Sequence, residues 1–99
     1  MIFTKRLRPR VRSGRIRCSI RIWQGPRVKA GGRYPMGDDQ GGHIVVDSIE
    51  AIRIKDITYD LARESGFESV KDLLQVARHG KGKKVYLVRF HYLPPGAWH

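Results

Sequence analysis

No carboxylate occurs before Asp38. The first 37 residues carry 11 Lys or Arg and no acid, whereas the rest of the chain holds 9 side chains of each sign. The formal charge of +11 is therefore one patch on an otherwise neutral body. Such a field draws in polyanions, and nucleic-acid backbone is the commonest of them. The alternative is a solvated basic arm, but the arginines alternate with apolar residues, which argues for a folded segment. Cysteine is nearly missing as well: Cys18 stands alone, which excludes an internal disulfide and fits a reduced, cytoplasmic setting. No apolar stretch approaches the ~18 residues of a membrane span, and charge begins at Lys5, so the expectation is a soluble, unexported chain with no membrane partner. His43, His79, His91 and His99 are dispersed without ligand spacing, so no metal site is expected. Neither a Walker loop nor a dinucleotide fingerprint is present, so no cofactor is expected either.

What is present reads as one domain, residues 1–99. A chain of 99 residues that is 40% hydrophobic can bury a single core without metal or disulfide support. Residues 1–3 suit a short strand, and residues 5–13 suit one or two helical turns in which Pro9 must lie near the start. From residue 16 the period changes to two. Ile16, Cys18, Ile20 and Ile22 alternate with Arg17, Ser19, Arg21 and Trp23, the pattern of a half-buried strand. The Gly- and Pro-rich residues 25–42 suggest a long exposed loop. Residues 43–55 alternate again, with a phase change near residues 47–50 that predicts a bulge. Asp56 or Thr58 caps a helix stopped by Gly66; Glu68 or Ser69 opens a second helix, with Val70, Leu73, Leu74 and Ala77 as its stripe and Gly80 as its stop. Residues 83–93 form the last strand, with Val85 and Leu87 on one side and Tyr86, Val88, Phe90 and Tyr92 on the other.

Arg17, Ser19 and Arg21 share one face of the first long strand, about 7 Å between successive side chains, a step comparable with consecutive phosphates. Arginine offers rigid bidentate donors to phosphate and to base edges. Trp23 continues the face, either as a stacking surface for an unpaired base or as a rim residue covering the core. Lys29 and Arg33 flank Gly31 and Gly32 in the loop, where backbone can approach a ligand closely or simply turn. Tyr34 is a candidate for the wall of the same cleft. On residues alone, the partner is RNA, single-stranded nucleic acid or a nucleoside. An acidic protein partner also fits the charge, though not the arrangement of the strand face.

Three segments in order carry a resemblance: residues 3–21 with Gly14 and the run Ser19, Ile20, Arg21; residues 52–67 ending in Ala62, Arg63, Glu64, Ser65, Gly66, Phe67; and residues 85–90. Together they resemble the ASCH domain family, which shares the small β-barrel of PUA RNA-binding modules. The resemblance implies an α+β fold: a PUA-like barrel of five to six mostly antiparallel strands with two to three flanking helices, a cleft beside residues 16–23, and RNA or a modified nucleoside as ligand. Some small ASCH proteins are amidohydrolases acting on N4-acetylcytidine through a Lys, a Thr and a Glu. By position the resemblance carries the hydroxyl to Ser19 and the carboxylate to Glu64, so the alternative function is hydrolysis of an acylated nucleoside or of RNA. The lysine position falls on Ile16, which can neither deprotonate a nucleophile nor stabilise an oxyanion.

Overall fold

A computed structural model describes residues 3–36, 40–77 and 83–96. Helix α1, Arg8–Arg12, starts beside Pro9, where a missing N–H costs no helical hydrogen bond, and buries Val11 completely. Strand β1, Cys18–Trp23, follows, then a short β2, Arg33–Pro35, inside the Gly-rich loop. Strand β3, His43–Ile52, leads through a 3-10 turn at Ile54–Asp56 to helix α2, Tyr59–Glu64, and helix α3, Val70–Ala77. Strand β4, Lys84–Leu93, closes the order. The suggested strand at residues 1–3 and the helix stop at Gly80 lie largely outside the described residues.

All strand pairings are antiparallel and the sheet order is β1-β4-β3-β2. The sheet curls into a half-barrel, so the class is α+β, with three α-helices among the described residues. Four strands, rather than five to six, form it among the described residues. The phase change in the second alternating segment is a bulge at Asp47: Val46 pairs with Phe90 and Ser48 with Arg89, leaving one residue unmatched. His91 Nδ1 lies 2.9 Å from Asp47 Oδ1 across it.

Central β4 is covered on both faces, since Val85, Tyr86, Leu87 and Val88 are all buried. The entries of α2 and α3 are capped as their residues dictate. The Leu61 amide donates to Thr58 Oγ1, the Asp72 amide to Ser69 Oγ, and the Glu68 amide to Asp72 Oδ2. Gly66 ends α2 at φ +101°, and a Cβ there would fall 2.7 Å from Ile16 and 2.8 Å from Leu7, so backbone conformation and close packing both require glycine. None of the described helices is long and apolar enough to cross a membrane.

Candidate functional site

Successive residues of a strand project to opposite sides. Cys18 and Ile20 are buried on one side of β1, while Ser19, Arg21 and Trp23 are half-buried on the other, in register with Val88, Tyr86 and Lys84. The same side carries Phe90 and Tyr92 of β4. Arg17 lies just before β1, but its carbonyl accepts from the Phe90 amide at 2.9 Å, so the pairing with β4 runs on to it. Its side chain is exposed, and its Nε–H donates to the Gly14 carbonyl at 3.1 Å. Arg17, Ser19, Arg21 and Trp23 thus occupy one polar line, as their spacing predicts.

Arg21 is the exceptional member. Its Nε–H donates to Ser19 Oγ at 2.8 Å, and its guanidinium carbon stands 5.0 Å from the centre of the Phe3 ring. Phe3 is only 3% exposed and packs at 5.4 Å against Phe90, so the surface beneath the cation is fixed and apolar. Burial pushes the Arg21 pKa down to about 10. Among the described residues Arg21 makes no ion pair, and four of its five N–H donors remain for a ligand. A desolvated cation ordinarily sits against an anion; among the described residues none faces Arg21. Two residues along, Trp23 packs on Tyr86 at 5.8 Å with 37° between the rings.

Other predicted members lie elsewhere. Arg33 pairs with Val45, which pairs with His91, and this row projects from the side of the sheet opposite Tyr86, Phe90 and Tyr92. Lys29 is exposed, and its amide donates to the Tyr34 hydroxyl at 2.9 Å. The loop is clamped to β3 through Gly31 N to Val46 O at 2.7 Å and Val46 N to Gly32 O at 2.9 Å. A Cβ on Gly32 would fall 2.5 Å from the Tyr34 hydroxyl, so this glycine makes room for Tyr34 and leaves no gap for a ligand.

The two candidate catalytic residues are not brought together. Glu64 is exposed at the end of α2, and its charge acts on the Cys18 thiol, on the side of β1 opposite Ser19. Burial first, and Glu64 second, push that thiol up to about 11. The Ser19 hydroxyl contacts a guanidinium and no base. Ile16 is 3% exposed, a core residue beneath Gly66. Among the described residues no three His, Cys, Asp or Glu are grouped to hold a metal ion. An open groove of about 540 Å³ along α3, lined by Val70, Lys71, Leu74 and Gln75, contains none of the predicted site residues.

Phe3 and Tyr86 complete the site but were not singled out from sequence. The alternation of β4 was the available signal for Tyr86, which shares its side with Val88 and Phe90; nothing local marks Phe3. Two further arginines of the basic third also lie on aromatic rings, Arg12 at 5.9 Å from Tyr92 and Arg6 at 5.6 Å from Phe67. No family model, curated protein or solved structure matches this chain.

Proposed function

We propose that the chain is a cytoplasmic nucleic-acid-binding module that holds RNA on the polar face of β1, with Arg21 as the principal contact and Trp23 as a base-stacking surface. The observation that carries this reading is the desolvated Arg21 guanidinium, oriented by Ser19 and Phe3 and without an ion-pair partner among the described residues. Stacked, desolvated guanidinium groups bind phosphate and base edges more strongly than solvated ones, because their planes are already fixed and water competes less. The acid-free first 37 residues supply the attracting field. The resemblance to ASCH domains is in keeping with this reading and extends the half-barrel to a PUA-like barrel of five or six strands.

No observation favours hydrolysis. Glu64 acts on the other side of the strand from Ser19, and Ile16 supplies no base. The test is fluorescence anisotropy with a labelled single-stranded RNA across a salt series. If about four phosphates are engaged, log affinity falls against log salt with a slope near −3. Affinity indifferent to salt between low and physiological strength overturns the reading, as does turnover of N4-acetylcytidine that depends on Ser19.

A further inference from the structure

The polar line on β1 is exposed at one end and half-buried along the rest. Trp23 packs on Tyr86, Arg21 stands over Phe3, and both are half-buried, as is Ser19, whereas Arg17 is exposed at the far end. Each step is two strand residues, about 7 Å, and the backbone bond from Phe90 to Arg17 keeps the last step in line with the others. Ser19 Oγ accepts from Arg21 and retains its own proton, so it is a donor at the middle of the line. The row therefore presents a planar aromatic, then three donors in succession at nucleotide-like intervals.

Resting on the reading of Arg21 as the nucleic-acid contact, we infer that this site takes a short single-stranded oligonucleotide laid along β1, not a free nucleoside and not a duplex. An unpaired base stacks on Trp23; the adjoining phosphate meets the four open N–H groups of Arg21, the next meets the Ser19 hydroxyl, and the third meets Arg17. A free nucleoside has no phosphate for Arg21 and nothing to reach Arg17. A duplex keeps its bases stacked on one another, so none is available to Trp23, and its stiff backbone is poorly suited to a line that runs from an exposed end to a half-buried one. The desolvated end contributes most per contact, and the exposed Arg17 adds a smaller, more salt-sensitive increment.

The experiment is a calorimetric titration of the full chain with uridine, then with 5′-phosphorylated mono-, di-, tri- and tetra-uridylate, and with a blunt RNA duplex. The expected result is no measurable binding of uridine, a gain of about three- to tenfold in affinity per added nucleotide up to the trinucleotide, and a plateau beyond it. Arg17→Ala, at an exposed position, removes the gain at the last step. If affinity is independent of length, or the duplex binds as tightly as the trinucleotide, while Arg21→Ala still weakens the mononucleotide, the strand track is wrong and the Arg21 contact stands. If Arg21→Ala changes none of the affinities, both readings fall.

Discussion

Arg21 Nε–H is bonded to Ser19 Oγ at 2.8 Å, from two residues further along the same strand. The pair is local, because residues i and i+2 share a face. The bond fixes the guanidinium plane over Phe3, and a chain that buries a cation in this way without an anion accepts a cost to folding. Costs of this kind concentrate at functional sites.

Arg21→Met keeps the aliphatic bulk over Phe3 and removes the unpaired charge. Replacing a desolvated, uncompensated charge with an apolar chain of similar volume is neutral or stabilising, so the urea midpoint is expected to hold or to rise by the equivalent of about 1 kcal/mol. A loss of more than ~2 kcal/mol would mean that the guanidinium is a structural group.

Gly66→Ala places a Cβ against Ile16 and Leu7 at a φ of +101°. Strain and overpacking act together, and a loss of about 2 to 4 kcal/mol is expected in urea unfolding. Gly25→Ala, where added bulk meets nothing within 4 Å, serves as the comparison and is expected to lie within ~0.5 kcal/mol of the parent.

Cys18 links stability to alkaline pH. Its thiol is raised from 9.0 to about 11 in the folded chain, chiefly by burial, so the folded state disfavours the thiolate. The contribution is complete below pH 9 and is lost as pH rises from about 9 to about 11, because the unfolded chain ionises first. Unfolding midpoints across that window should fall more steeply for the parent than for Cys18→Ala. The same thiol should resist iodoacetamide at pH 8 until denaturant is added.

Glu64→Gln separates the two sides of β1. Removing the carboxylate lowers the Cys18 pKa, seen as faster alkylation at high pH, and leaves nucleic-acid affinity unchanged. A joint loss of binding in Glu64→Gln and Ser19→Ala would show that the two residues work at one site after all.

Much of the scaffold was legible because its signals are local. Thr58, Ser69 and Gly66 mark helix ends through their own side chains or backbone, and the phase change near Asp47 is the bulge itself. β2 was hidden inside the loop because three residues carry no periodicity, and its pairing with β3 alone makes it a strand. The line from Arg17 to Trp23 was legible for the same reason as the caps, but its depth was not. Arg21 reads as an outward-facing residue, yet Phe3, distant in sequence, lies beneath it. Arg33 and Glu64 were misjoined to the site because sidedness depends on strand register and on the face each helix covers, and neither leaves a mark on neighbouring residues. Arg8 likewise reads as an interchangeable charge, whereas its Nε–H holds the Phe3 carbonyl at 3.1 Å.

The central claim is that Arg21 is a specific contact and the remaining basic surface is a diffuse one. Fluorescence anisotropy with one labelled single-stranded RNA, comparing Arg21→Met with Arg15→Ala at physiological salt, tests it most directly. Both substitutions remove one positive charge, but only Arg21 is desolvated and oriented. The account predicts a loss of about 1 to 3 kcal/mol for Arg21→Met and well under 1 kcal/mol for the exposed Arg15. Equal losses would contradict it, leaving a basic surface with no site on β1.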